Sequence, residues 1–305
     1  MIENNLDFIA KELNEERNAI IPTETVYGLA GLATSNVAVE NIYKLKKRPS
    51  WNPLILHGRN KDSFEKYVKW NKLAEKLANE FWPGSLTIVL PLIDSNISKY
   101  VHGVEDTIAI RVPNNGKTIE LLGKVNGLLA APSANPFMSI SPTNAEMSCG
   151  YFPQIPVLDG GNCTIGVEST IVNLASQEPE ILRYGGVCEE KINDILEINI
   201  KKSLNKKTIA PGACKKHYSP KKPLKINVTK PNSDEFFVTF GNIETHGNKN
   251  ISLSVSGDLN EAAANLFFTL DKCDKCLDTN SISISPIPNE GIGLAINDRI
   301  KRASS

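Results

Sequence analysis

The chain reads as an α/β protein: a large domain on a mixed sheet, then a smaller α/β domain. Three observations carry this. Extended apolar runs alternate with amphipathic helical patterns through residues 1 to about 190. A basic stretch broken by proline and glycine comes next, KKSLNKKTIAPGACKKHYSPKKPL, with the character of a linker. The order strand, strand, helix, strand, helix then runs to residue 305. For the large domain the pattern leaves α/β and α+β both open, with the strand order unread.

The opening stretch MIENNLDFIAKELNEERN is charged and predicts an amphipathic helix with Leu6, Ile9 and Leu13 inward, not a signal peptide. Residues 21–57 organise the chain. An apolar run enters Pro22, a polar glycine-bearing segment spans Thr23 to Gly31, and a helix carries Ala38, Ile42 and Leu45 on one face. Lys46, Lys47 and Arg48 end it before Pro49, and a short strand from Pro53 to Leu56 delivers His57. Cations placed where a helix gives way to a strand predict an anion site at the rim of a sheet. Ser63 to Phe81 predicts a further helix, capped by Asp62 or Ser63 and stopped by Pro83-Gly84. SLTIVL and TIAIRV are strands, and LLAAPSANPF is a strand that breaks into a loop of small residues. Asp159-Gly160-Gly161 is a turn, while TIGVESTIVNL and EILRYGG are extended. KINDILEINI supplies the end of a helix and a strand. Beyond the linker, FFVTFG, ISLSVS and SISISPI are strands, LNEAAANLFFTLDKCDKC is a helix, and residues 292–302 are helical. The expected limits are 1–192, 193–224 and 225–305, the middle segment being long for a mere connector.

A chain of 305 residues with 41% apolar content builds packed cores, which excludes a disordered coil. Lys plus Arg and Asp plus Glu both number 34, so bulk charge draws no nucleic acid. No apolar run reaches membrane-spanning length, and the six scattered cysteines read as reduced thiols of a cytoplasmic protein. Cys273 and Cys276 have CxxC spacing without a second pair, so no metal is assigned to protein groups.

The candidate chemistry lies in cations and small polar loops. Arg48, Arg111 and Arg183 each end an element beside proline or glycine, and Lys46 lies two residues before Arg48. Solvated surface charge explains any one of them; together they suit a clamp on phosphate or carboxylate. Ser133-Ala134-Asn135 is followed by Ser139, Ser141 and Thr143, and Glu168-Ser169-Thr170 interrupts an apolar run. Local backbone bonding and an anion cradle both suit such groups. Thr23, Glu24, Thr25 and Tyr27 make either a packed turn or a recognition edge for a small polar substrate, and His57 is as readily structural as catalytic. GxGxxG, GxxxxGK[ST] and G-x-S-x-G are absent, so ATP, if bound, is held by another arrangement.

TETVYGLAGLA, IYKLKKRPSWNPLILH, FWPGSLTIVL, TIAIRVP, APSANPFMSISPTNAE, VLDGGNCTIGVESTIVNL and ILRYGG resemble, in order, the YrdC-like domain. With APGACKKHYSPKKP and NEGIGLAINDRIKRAS, nearly the whole chain resembles the two-domain threonylcarbamoyl-AMP synthases. The resemblance implies a strongly twisted mixed-sheet domain around a basic cavity, with a second, smaller α/β (Rossmann-like) domain. It implies synthesis of L-threonylcarbamoyladenylate from L-threonine, bicarbonate or carbon dioxide, and ATP with Mg2+, with release of pyrophosphate. The product would pass to the tRNA threonylcarbamoyl transferase machinery, for modification at position 37 of tRNA.

The family's Lys-x-Arg motif falls on Lys46 and Arg48, which the resemblance makes catalytic, and its Ser-x-Asn motif on Ser133 and Asn135. ATP binding is implied for Lys46, Arg48, Arg111, Ser133, Asn135, Ser141 and Arg183. Threonine binding is implied for Thr23, Tyr27, His57, Arg111 and Ser169. A linker lid is implied at Pro211, Gly212, His217 and Tyr218, although Ala213-Cys214 stand where a Met-like residue usually follows the PG. Two other classes compete. An RNA-binding module, or a weak tRNA contact, draws on the basic linker, yet RNP-like aromatic runs and a GXXG loop are absent. A carbamoyltransferase-type enzyme acting on another acceptor would carry zinc-finger and acylphosphatase-like regions, and neither is evident.

Overall fold

The computed structural model describes residues 1–93, 96–102, 106–200, 202–203, 216–243 and 249–305. The chain opens with β1 (Ile2–Glu3), α1 (Leu6–Asn14), β2 (Ala19–Ile21), β3 (Gly28–Leu32), α2 (Asn36–Lys46) and β4 (Ile55–His57). Then come α3 (Lys72–Phe81), β5 (Leu86–Pro91), α4 (Lys99–His102), β6 (Thr107–Arg111), α5 (Gly116–Leu122) and β7 (Leu129–Ala130). The first part closes with α6 (Ala145–Tyr151), β8 (Val157–Leu158), β9 (Thr170–Asn173), β10 (Glu180–Arg183) and α7 (Glu189–Leu196). Among the described residues these strands form one ten-stranded mixed sheet in the order β1-β8-β2-β3-β7-β4-β6-β5-β9-β10.

Local chemistry sets the helix starts. Asn5, Ser35, Asn71, Asn115 and Asn144 each stand at an N-cap and accept from backbone N–H groups of the first turn. In α1, Ile9 and Leu13 are buried as the period requires, and in α2 so are Ala38 and Ile42, with Leu45 half-buried.

The single helix expected over Ser63 to Phe81 is a correction. A 3-10 turn, Lys61–Phe64, is capped by Asn60, and α3 begins only after Asn71. Between them the chain pairs with the end of β5. Val68 bridges Leu92, and the Lys69 N–H donates to the Pro91 carbonyl. Sheet hydrogen bonds there replace helical ones. TIGVESTIVNL is also only partly extended, since Ile165 N–H bonds to the Glu24 carbonyl and β9 begins at Thr170.

The second part contains β11 (Leu224–Lys225), β12 (Glu235–Thr239), β13 (Asn250–Ser252), α8 (Leu259–Lys275), β14 (Ser281–Ile284) and α9 (Gly293–Ala303). Its strands pair in parallel, in the order β11-β14-β12-β13. Parallel strands need crossover connections, and α8 supplies one between β13 and β14. The two parts share a core. Val26, Ile140, Met147 and Val167 pack in one apolar cluster with Tyr218, Leu266, Phe267 and Ile296. Gly166 permits that contact: its φ is +74°, and a Cβ there would stand 2.4 Å from the Ala263 carbonyl oxygen.

Gly185, in ILRYGG, permits a second close approach. A Cβ would lie 2.3 Å from Glu168 O, Ser169 C and Thr170 N, all backbone atoms. Gly185→Ala is expected to destabilise the fold by about 1–3 kcal/mol. A lowered urea midpoint at unchanged slope is the measurement that checks it.

Candidate active site

The site is built where strand ends meet loops. β4 and β6 are parallel with His57 opposite Arg111, so these side chains emerge as neighbours. The turn after β2 is folded by its own hydroxyls. Thr23 Oγ1 donates to the Val26 carbonyl at 2.6 Å and accepts from the Thr25 N–H at 3.1 Å. Thr25 Oγ1 then accepts from Arg111 Nη1 at 2.9 Å. Arg111 also donates from Nε to the Gly84 carbonyl at 3.0 Å, and its Nη2 lies 2.7 Å from Glu24 Oε1.

On the other side, the antiparallel pair of β9 and β10 shifts register between Ile181 and Arg183. Such an irregularity re-aims a side chain. Arg183 donates from Nε to the Ser169 carbonyl and from Nη2 to Ser169 Oγ, each at 3.1 Å. Ser169 Oγ is itself 2.7 Å from Thr87 Oγ1.

The turn after α2 holds Arg48, whose Nη2 donates to Asn52 Oδ1 at 2.7 Å and to the Pro53 carbonyl at 2.8 Å. Lys46 is buried and donates to the Ser133 and Asn135 carbonyls, stitching α2 to the loop after β7. Glu168 accepts from Ser141 Oγ at 2.7 Å and from Arg299 Nε at 2.8 Å.

Residues 11–185 match the Sua5/YciO/YrdC family model, described as "Telomere recombination". Residues 187–305 match the model described as "Threonylcarbamoyl-AMP synthase, C-terminal domain". The chain belongs to the Sua5/YciO/YrdC family. It is 33% identical to the threonylcarbamoyl-AMP synthase of Bacillus subtilis (strain 168), across 96% of this chain and 90% of the relative. It is likewise 33% identical to that of Pyrococcus abyssi (strain GE5 / Orsay), across 96% of this chain and 92% of the relative. The crystal structure of P. abyssi Sua5 complexed with L-threonine aligns with a TM-score of 0.90 at 29% identity, covering 100% of this chain and 96% of that one.

In this Sua5-family chain, Thr23, Arg48, His57, Arg111 and Ser133 line one cavity, together with Ser169, Arg183, His217 and Tyr218. Lys46, Asn135 and Ser141 lie just behind its wall through the hydrogen bonds given above. Asn135 is wholly buried, with its amide nitrogen donating to the Pro136 and Ser139 carbonyls.

Tyr27 does not join them. Its hydroxyl donates to the Gly161 carbonyl at 2.7 Å and accepts from the Gly160 N–H at 3.0 Å, and its ring is core. Pro211 and Gly212 lie outside the described residues. His217 and Tyr218, in the described end of the linker, line the cavity. Tyr218 is packed between Phe267, its ring stacked at 5.4 Å, and the Arg299 guanidinium at 5.3 Å.

Thr25, Glu168 and Arg299 also belong to the site's framework, without a role assigned to any of them by the family resemblance. Thr25 and Glu168 sit inside motifs already singled out. Arg299 had its own signal, a charge on the buried stripe of α9 between Ile296 and Ile300.

Burial, with the Arg48 charge adding to it, holds Lys46 well below the ordinary lysine value. Burial alone would raise Glu168, but Arg299 and Arg183 with the Ser141 hydrogen bond bring it down to about 2. Burial, then the Arg111 charge, pushes His57 down to about 3. Burial also takes His217 down to about 3, against the pull of Glu168.

Both histidines are therefore neutral when folded, while in the unfolded chain they titrate near 6.5. As pH falls below 6.5 the unfolded state takes up protons first, so stability is lost progressively down towards pH 3. Acidifying from pH 7 to pH 5 is expected to cost roughly 2 kcal/mol per histidine. Denaturant titrations across that range should show the slope, and the His57→Gln, His217→Gln double variant should flatten it.

Proposed function

We propose that this chain is an L-threonylcarbamoyladenylate synthase. It joins L-threonine, bicarbonate or carbon dioxide, and ATP, and releases pyrophosphate. One observation carries the reading: Arg48, Arg111 and Arg183, from three distant stretches, converge on a cavity that Thr23, Ser133 and Ser169 also line. The near-complete likeness to a relative complexed with L-threonine supports it.

The chemistry asks for such a place. The unprotonated amine of threonine takes up carbon dioxide and loses one proton to solvent, giving a carbamate. A carbamate oxygen then attacks the α-phosphorus of ATP, and the bond to the bridging oxygen breaks to release pyrophosphate. Two anions must be held in contact, which concentrated positive charge permits. Thr23, His57, Arg111 and Ser169 would receive threonine, with neutral His57 available as a hydrogen-bonding partner. Arg48, Arg111, Ser133 and Arg183 would receive the phosphates, with Lys46, Asn135 and Ser141 holding the loops that present them. Tyr27 would serve threonine only by shaping the turn that carries Thr23. His217 and Tyr218 would close one wall and help to keep water from the carbamate.

Among the described residues no group of three His, Cys, Asp or Glu could hold a metal ion, and both oxygens of Glu168 are engaged. The donor set does not make a protein cage for magnesium, so the ion would enter ligated by phosphates and water. Delivery of the product to the tRNA-modifying machinery, in the cytoplasm, completes the proposal. Among the described residues no helix is long and apolar enough to cross a membrane.

A coupled pyrophosphate assay tests the reading: release should require both L-threonine and bicarbonate. Arg48→Ala is expected to lower turnover about a hundredfold or more, with some stability lost because the Asn52 and Pro53 carbonyls lose their donor. Lys46→Ala should lose activity and also some stability, since two buried carbonyls lose their donor. Full turnover in both variants would defeat the assignment. For Tyr218→Ala, impaired turnover together with a lowered melting temperature is the expected outcome, because the ring is buried in the shared core.

A further inference from the structure

A buried arginine on a helix otherwise packed by Ile296 and Ile300 needs a reason, because an apolar side chain of similar volume would pack there at least as well. Arg299 is wholly buried in the second part, yet its Nε bonds Glu168 Oε2 at 2.8 Å in the first. Its Nη1 lies 3.1 Å from Asp298 Oδ2, and its guanidinium covers the Tyr218 ring. Asp298 in turn meets Lys202 at 3.0 Å, and the Arg302 carbonyl accepts from the His217 N–H. Glu168 is the acidic residue that lines the cavity, and Arg183 is electrostatically coupled to it.

We propose that Arg299 is a positioning residue of the active site: it balances the charge of Glu168 so that the cavity keeps its affinity for the triphosphate of ATP. The inference rests on the synthase reading above. Without Arg299, the carboxylate would confront the nucleotide and draw on the positive charge of Arg183. The second part would then take part in ATP binding without touching ATP.

Direct ATP titration by calorimetry on the full chain, alongside pyrophosphate release, tests it with Arg299→Met, Glu168→Gln and the double variant. Arg299→Met is expected to weaken ATP binding about tenfold or more. Adding Glu168→Gln should restore affinity to within about threefold of wild type, because the uncompensated charge is gone. A merely structural arginine would give no such rescue. Unchanged affinity in Arg299→Met, or a double variant as weak as the single, overturns the proposal. Should Arg299→Met not fold, Arg299→Lys and the double variant carry the comparison. Both should bind ATP nearly as wild type does, and an approximately tenfold loss in both overturns it. Wild-type pyrophosphate release without rescue defeats this inference alone. Wild-type protein that binds ATP but releases no pyrophosphate with threonine and bicarbonate defeats the synthase reading instead, and a wild type that binds no ATP defeats both.

Discussion

Burying several like charges around one cavity, with only part of that charge cancelled, is the constraint on which the rest of this structure depends. The chain meets it largely with backbone oxygen. Lys46 is satisfied by the Ser133 and Asn135 carbonyls, Arg48 by those of Asn52 and Pro53, Arg111 by Gly84 and Arg183 by Ser169. A carbonyl satisfies an N–H donor yet carries no formal charge, so the field in the cavity stays positive. Of the carboxylates nearby, Glu24 pairs with Arg111 and the Asn114 N–H and so offsets one of these charges, while Glu168 is held by Arg299 and Ser141.

That arrangement explains why the loops are where they are. All of these carbonyls except that of Ser169, which directly precedes β9, belong to segments containing proline, glycine or asparagine. The mixed sheet brings those turns to one rim through the register of β4 against β6 and of β5 against β9. The irregularity in β10 and the close approach at Gly185 seat Arg183 against Ser169. Fold and site are thus one problem: without the register, the donors would have no shared destination.

How much of this could be read from residues alone divides along physical lines. The longer strands and helices show their period, so α1, α2, α8, β5, β6 and β12 were legible. The two-residue strands β1 and β8 were not, because two residues carry no period; β7 is as short but lies in the longer apolar run LLAA. The segment ahead of α3 has helical spacing, but pairing at Val68 and Lys69 overrides it. Lys46, Arg48, Arg111 and Arg183 could be named from their place at element ends, but their convergence is a property of register and not of composition. Family motifs supplied the activity. Motif reading also drew in Tyr27, whose neighbours in sequence face the cavity while its own ring turns into the core.

The apolar cluster joining Val26, Ile140, Met147 and Val167 to α8 sets a limit on how this protein can be divided. Neither half owns that surface, since each is the other's solvent shield. A fragment ending after α7 would present those four side chains to water, and would be sticky and prone to self-association. An ancestor or an engineered descendant living as the first part alone would have to recolour that face with polar residues. The two parts are separable in sequence matching, but in physical chemistry they share one interior.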